Sequence, residues 1–259
     1  MFSPPQIPII NDGLLYANGL VLSYVSAKVI TMSAGAARDA SNTNDISLSA
    51  LVTIDGSKTG ANGFDSGVLG ATQCYAVYVV GDSTSYKPTA GLISANLTTM
   101  PVLPAGYDMY RRVGWVVTND TAQILKFYQY GKDEKRTYYY DVDDSFGVVV
   151  LSGGAEIEYT QVQMGAPSNA PVVPPIATRV IFRNEYDPAL AANTASFQTY
   201  GATATAASVT VGLGVALLQL QSFFIDCELD ETGVPSIQYK VTASDATSLI
   251  VQGYDDYLY

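Results

Sequence analysis

Side chains that could do chemistry are few in this chain, and the most suggestive are acidic. Asp141-Val142-Asp143-Asp144-Ser145 gathers three carboxylates within one turn, the density that a Ca²⁺ loop needs. It lacks the next spaced Asp or Asn, the glycine at the sixth position and the bidentate Glu at the twelfth, so it reads as a solvated acidic turn. Asp255-Asp256, Asp226 with Glu228, and Asp230-Glu231 read the same way, as solvated charge. Two carboxylates for glycoside hydrolysis can meet in space from anywhere in a chain, and no local pattern here singles out a pair. The sequence contains no histidine. That removes the commonest general base, the commonest zinc ligand and any Ser-His-Asp arrangement together. The glycine-rich stretches Gly60-Ala61-Asn62-Gly63 and Ser152-Gly153-Gly154 are followed by neither Lys-Ser/Thr nor a helical pattern. They read as turns, not phosphate cradles. No catalytic, cofactor-binding or metal-binding residue is assigned, and no cofactor is expected.

Tyrosine is the residue this chain uses to excess, 19 of them against 8 phenylalanines and one tryptophan. Tyr128, Tyr130, Tyr138, Tyr139 and Tyr140 crowd together, and Tyr254, Tyr257 and Tyr259 follow later. A tyrosine presents an apolar body and a polar tip, and it suits half-buried sheet surfaces and interfaces. In Tyr138-Tyr139-Tyr140, strand alternation turns at least one ring away from the core. Three readings remain open for that ring: sheet propensity alone, a subunit contact, or a surface on which a sugar stacks.

The elements that must position these residues are strands. Runs suited to strands cover 20–25, 28–32, 46–54, 73–80, 91–95, 110–118, 124–130 and 136–141, then 147–151, 156–163, 179–184, 195–200, 208–217, 223–229, 237–242 and 248–253. Turn chemistry separates them, as in Asp55-Gly56, Gly81-Asp82-Ser83, Asn119-Asp120 and Thr232-Gly233. Many short antiparallel strands with no substantial helix predict an all-β fold, a β-sandwich or a jelly-roll-like barrel.

Residues 1–18 read as an extended N-terminal arm. Pro4, Pro5 and Pro8 forbid a helix there, yet Phe2, Ile7, Ile9 and Ile10 make it apolar enough to pack on something. The first half of the β-structure spans 19–165, and a second β-unit spans 176–259, packed with the first. Between them, the four prolines of 166–175 force an extended course, either a crossover between sheets or a boundary.

A chain of 259 residues with 48% hydrophobic and 14% charged residues is globular. Its net charge of −11 argues against a nucleic-acid-binding surface. Cys74 and Cys227 read as small buried hydrophobes, and a disulfide requires their strands to adjoin. No signal peptide is recognised at the N-terminus, and the longest apolar stretch, 209–225, alternates at strand period and so is no membrane span. A soluble protein made in the cytoplasm, with no membrane partner, is expected.

Residues 101–116 read P-V-L-P-A-G-Y-D-M-Y-R-R-V-G-W-V, a proline-bracketed turn entering a strand. They resemble the P-x-L-P-x-G-Y-x-x-x-R-R-I-G segment of a family of tailed-phage virion structural proteins of the tail-fibre and head-decoration type. In that family the segment follows an N-G-L-D-T-G turn and a Tyr-rich strand. Here Asn62-Gly63-Phe64-Asp65-Ser66-Gly67 and Cys74-Tyr75-Ala76-Val77-Tyr78-Val79-Val80 stand in those places, with departures at Phe64, Ser66 and Val113. Gly35-Ala36-Ala37-Arg38-Asp39 is similar to the family's G-x-A-R-D element, and Phe127-Tyr128-Gln129-Tyr130-Gly131 to its F-x-Q-x-G segment. Tyr140-Asp141-Val142, Ile237-Gln238-Tyr239 and Gly253-Tyr254-Asp255-Asp256-Tyr257 are similar to a later turn and to the closing strands.

The resemblance implies a non-enzymatic component of a phage particle, located in the virion after synthesis in the host cytoplasm. It would act by assembling with itself, as a threefold homo-oligomer by analogy, and with other virion proteins. The expected assembly contacts are Phe2, Ile7, Ile9, Ile10, Tyr128, Tyr130, Tyr138, Tyr139 and Tyr140. The alternative is a receptor- or glycan-binding module of a tail fibre, with host surface glycan as partner. The absence of histidine and of any nucleophile motif predicts no turnover by purified protein on esters, peptides, phosphates or glycans. Oligosaccharide release from host capsule or lipopolysaccharide that disappears when one Asp or Glu is changed to Ala would overturn that expectation.

Overall fold

A computed structural model describes residues 17–97, 99–131, 133–141, 147–164, 172–177, 179–190, 192–202, 208–212, 218–243 and 245–258. Phe2, Ile7, Ile9 and Ile10, the acidic residues 142–146 and most of the Pro-rich stretch lie outside them. The first strands in chain order are β1 (Ala17–Gly19), β2 (Leu22–Ser26), β3 (Val29–Met32), β4 (Gly35–Arg38) and β5 (Asp45–Leu48). They are followed by β6 (Val52–Asp55), β7 (Gly63–Phe64), β8 (Cys74–Gly81), β9 (Ala90–Ser94) and β10 (Met109–Val117). Next come β11 (Phe127–Tyr130), β12 (Lys135–Tyr140), β13 (Val148–Gly154), β14 (Thr160–Gln163), β15 (Arg179–Asp187) and β16 (Ala195–Thr199). The last are β17 (Ser208–Val211), β18 (Gln219–Asp226), β19 (Glu228–Leu229), β20 (Pro235–Val241) and β21 (Ala246–Tyr257). Among the described residues there is no helix, and the all-β expectation holds.

These strands form four sheets. The largest has the order β18-β15-β21-β12-β11-β2-β3-β6, with β13 also on β21. It therefore joins strands from both sides of the Pro-rich stretch. A four-stranded sheet, β10-β8-β9-β7, lies against its inner face, and β1-β4-β5 form a small sheet beyond. The close approach explains one glycine. A Cβ at Gly114 of β10 would run into the Tyr138 hydroxyl of β12 and the Leu22 side chain of β2. Farther along, the small sheet touches the back of β8, where Gly81 lies against Ile46. Every residue of β8 is buried as a result, and the whole strand reads as apolar without alternation. The fourth sheet, β14-β20-β16-β17 with β19, meets the inner side of β15 and β18. There Phe197 packs on Phe223 at 5.1 Å between ring centroids, and Phe223 on Phe182 at 5.8 Å.

Turns are held by one repeated device, an Asp or Asn followed two residues later by Ser or Thr. Asp39, Asp55, Asp82, Asn119 and Asp230 all occupy such positions. The side-chain oxygen of Asn119 accepts from the Thr121 and Gln123 amides at 3.0 and 2.9 Å. Asp230 Oδ1 accepts from the Thr232 and Val234 amides at 2.9 and 3.0 Å, and Oδ2 from Gln161 at 2.7 Å. Burial pushes the Asp230 carboxyl up, but these donors, Gln163 and Thr232 foremost, hold it well below the usual carboxylate range. Asp230 and Asp39 are therefore buried, hydrogen-bonded turn anchors. This corrects the reading of Asp230 as solvated charge.

The 62–67 turn, the Tyr-rich β8 and the proline-bracketed 101–107 turn are likewise used for construction. Asn62, at a positive φ of 61°, exchanges hydrogen bonds with Gly91: its amide donates at 2.8 Å and its Oδ1 accepts at 2.9 Å. Asp65 is buried and accepts from Ser94 Oγ at 2.6 Å and from the Val102 amide at 3.1 Å. Tyr78 donates to the Asn96 carbonyl at 3.0 Å, and Tyr107 to the Pro88 carbonyl at 2.9 Å. The N-G-F-D turn, the Tyr-rich strand and the P-V-L-P turn thus lock one another at the end of the four-stranded sheet.

Arg111 and Arg112 leave β10 on opposite faces, and both are enclosed. Arg112 donates to Asp256 Oδ2 at 2.7 Å and to the Tyr257 carbonyl at 2.7 Å, with its guanidinium 4.8 Å from the Trp115 ring. Arg111 reaches the Leu258 carbonyl at 3.4 Å. On β12, Arg136 is fully buried and donates to the carbonyls of Gly19, Gly131 and Asp133. Asp256 is the carboxylate at this seam, with no exposed surface. Burial pushes its carboxyl above the ordinary value, and the Arg112 guanidinium opposes that shift. The Trp115 indole N–H lies near enough to favour the charged form without closing a hydrogen bond, since both Trp115 Nε1 and Asp256 Oδ1 are without a partner. Asp255 and Asp256 are both buried, which overturns the reading of this doublet as solvated charge.

Cys74 is buried, Cys227 is half-buried, and both thiols are free. Residues 46–54 form two strands, not one. The apolar alternation runs unbroken through them, so the turn at 49–51 that carries the chain between layers leaves no mark in the pattern. Residues 17 and 18, assigned to the arm, belong to β1, which pairs with β4. Removing one partner of a buried ion pair leaves the other charge uncompensated. Asp256→Ala is therefore expected to cost about 3–5 kcal/mol, against less than about 1 kcal/mol for Asp45→Ala at the surface pair with Arg38. Equal shifts of the urea midpoint in the two variants would show that the seam does not bear this load.

Candidate interaction face

The tyrosine cluster divides by strand register. Tyr128 pairs with Tyr139 and Tyr130 with Thr137, while Phe127 pairs with Tyr140 and Gln129 with Tyr138. Paired residues share a face. Tyr138 and Tyr140 point inward. Tyr138 stacks on Tyr254 at 4.7 Å, accepts from the Trp115 amide at 3.2 Å and meets Gln129, while Tyr140 donates to the Val172 carbonyl at 2.6 Å. Burial raises both phenols above their ordinary value, far enough that neither ionises at neutral pH. As core residues they offer no surface to a partner, which removes them from the expected assembly contacts. Tyr139, Tyr128 and Tyr130 point outward, 40%, 49% and 58% exposed. Tyr130 and Tyr139 meet edge to face at 5.8 Å.

The same register continues across the sheet. Thr137 pairs with Asp255, Asp255 with Arg179, and Arg179 with Asp226. One row farther along, Tyr139 pairs with Gly253, Gly253 with Ile181, and Ile181 with Phe224. Phe224 is 58% exposed, and Leu220 projects from the same side of β18. The outer face of the nine-stranded sheet is therefore an aromatic and aliphatic surface crossed by ion pairs. Arg179 bonds Asp226 at 2.9 Å and lies 4.6 Å from the Phe224 ring centroid. Lys135 bonds Asp255 at 2.9 Å beside Tyr257. Arg183 bonds Glu185 at 2.7 Å. Lys126 bonds Asp141, which also accepts from Tyr128 Oη at 3.0 Å. The Lys126 contacts draw Asp141 below the usual carboxylate range and raise the lysine. At one end, an open hollow of about 610 Å³ lies between Pro175–Ala177 and Arg179, Asp226, Asp255 and Tyr257.

The arrangement is one of paired charges and exposed rings on a single sheet face. Among the described residues, no three His, Cys, Asp or Glu side chains converge to hold a metal ion. Two carboxylates around the hollow pair with cations of the same face, Asp226 with Arg179 and Asp255 with Lys135. Sequence reasoning found the tyrosine half of the face and missed the half made by Leu220, Phe224, Arg179 and Arg183. The signal for it was the Phe223-Phe224 doublet, since adjacent residues on a strand must put one ring on each face. No protein-family model, no curated protein and no solved structure matches this chain.

Inward and outward tyrosines differ in what they hold. Tyr138→Ala is expected to cost about 3–5 kcal/mol, as for other buried aromatic truncations. Tyr139→Ala is expected to stay within about 1 kcal/mol, the range of surface substitutions. Denaturant midpoints of the two variants check the assignment, and a comparable loss in Tyr139→Ala would place that ring in the core.

Proposed function

We propose that this chain is a non-enzymatic structural component of a tailed-phage particle, a surface, fibre or decoration subunit that acts through oligomeric assembly. The observation that carries the reading is the outward row of Tyr128, Tyr130, Tyr139 and Phe224 on a rigid sheet. Contiguous exposed aromatics of this kind mark protein interaction sites. The phage assignment is supported by the N-G-F-D-S-G and P-V-L-P-A-G-Y segments and their order in the chain. It is consistent with side chains of chemical interest being spent on construction: Arg111, Arg136 and Asp256 are buried, and Arg112 is enclosed by its pair with Asp256.

A second reading, a receptor- or glycan-binding module, is favoured by the open hollow beside Tyr257, where carboxylates and an aromatic ring adjoin. Both readings are separated by one purification. Gradient-purified particles from a producing host should contain the chain in stoichiometric amounts, cross-linkable to itself. Its absence from particles overturns the structural reading. Binding of the purified chain to host lipopolysaccharide, lost on Tyr257→Ala, would move the assignment to the glycan module.

A further inference from the structure

The chain carries a net charge of −11, so two copies repel one another at long range. They can meet at low cost only where local charge cancels. On the outer face of the nine-stranded sheet it does cancel around the row of Thr137, Asp255, Arg179 and Asp226 and its neighbours, away from the exposed Asp187 at the end of β15. Lys126, Lys135, Arg179 and Arg183 are balanced there by Asp141, Asp255, Asp226 and Glu185, pair by pair. We propose that this face is the contact through which the chain binds a second copy of itself. The proposal rests on the assembly reading and names the surface and the partner that assembly uses.

Three observations fit a second copy better than other occupants. A patch with equal numbers of both signs is complementary to its own copy across a two-fold axis, because each cation can meet a carboxylate of the other chain. A polyanion finds no excess positive charge on it, and a face spread over five strands suits a protein surface better than a small ligand. The size is also right. Five adjacent strands at about 4.8 Å spacing, averaging about 25 Å in length, give roughly 600 Å² in projection, comparable with the ~800 Å² per partner of a standard interface. Tyr139 and Gly253 lie in one cross-strand row between Tyr128 of β11 and Phe224 of β18, with Gly253 on the central strand of the five. Dominant aromatic contacts concentrate near an interface centre. A threefold ring would instead require two different patches on each chain.

The test uses the full chain in solution, with mass measured by light scattering across a concentration series at about 0.15 M salt. The expected species is a dimer in equilibrium with monomer. Tyr139→Asp and Phe224→Asp should each weaken it at least about tenfold, while Tyr86→Asp, on an exposed loop elsewhere, leaves it unchanged. Arg179→Gln should also weaken it by unbalancing the face, and adding Asp226→Asn should restore much of the loss. A merely structural role for Arg179 would not show that rescue. Thermal melting identifies any variant that fails to fold. Hydrogen exchange of the unmodified chain adds a measurement free of substitutions: peptides covering 127–130, 137–141 and 220–226 should gain protection as concentration rises. A chain monomeric throughout, a trimer unaffected by the face variants, or protection confined to other peptides would each overturn the proposal. None of these outcomes bears on whether the chain is found in particles, so this contact and the virion role stand or fall separately.

Discussion

The ion pair between Arg112 and Asp256 joins residues 144 positions apart, and most of the architecture is organised around it. Arg112 belongs to the four-stranded sheet and Asp256 to the nine-stranded one, so the pair fixes how the two layers meet. Asp256 has none of the water that would ordinarily stabilise its charge, and Arg112 has little. The cost of that desolvation is offset only if every other group at the seam is placed to help. Trp115 covers the guanidinium, the Tyr257 carbonyl takes a second donor, and Gly114 lets the strands approach closely enough for the pair to form. Arg111 and Arg136 add two more buried guanidinium groups, each directed at backbone carbonyls. Burial lowers the affinity of both for protons, yet a guanidinium stays charged in a folded protein. The seam is therefore rich in positive charge, and Asp256 is the group that makes it tolerable.

Positive charge on this chain is scarce, and its distribution explains the surface. With 13 Lys and Arg against 24 Asp and Glu, three arginines go to the seam and four further cations go to the outer sheet face. Much of the remaining acidity is absorbed by turns, where carboxylates accept backbone amides. Asp82 accepts from the Thr84, Tyr86 and Lys87 amides in this way. An aspartate in such a turn acts as a fixed acceptor, and its negative charge needs no cation. That frees the few cations for places where a pair decides packing or contact.

The sequence made the strands legible because turn residues and apolar runs report local geometry. Asp55, Asp82 and Asn119 each mark a turn in the chain and each forms one, whereas Asp230, read as solvated charge, anchors the turn signalled by Thr232-Gly233. Strands β1, β4 and β7 were not legible, since Ala17–Gly19, Gly35–Arg38 and Gly63–Phe64 are short and built from small residues. Alternation showed that Tyr138-Tyr139-Tyr140 must split between two faces. Which ring faces out is settled by Tyr138 lying opposite Tyr254 on a strand more than a hundred residues away. The same long-range pairing hid the burial of Asp256: nothing in Asp255-Asp256 distinguishes a carboxylate that will find Arg112 from one left in water. Half of the interaction face was invisible for that reason, because it exists only once β15 and β18 are set beside β21.

The position of β21 has a consequence for the order in which the chain can be made. It is the last of the described strands, yet it lies in the interior of the largest sheet, between β15 and β12. During synthesis both neighbours emerge first and must wait with an edge unpaired, a state open to mispairing with other chains. Until β21 arrives there is no Asp256 for Arg112, no Asp255 for Lys135 and no continuous outer face. A chain interrupted upstream would carry the cations of that face without its central strand. Pairing of β21 and appearance of a continuous outer face are thus one event, so that an assembly built through that face would admit only chains with β21 in place.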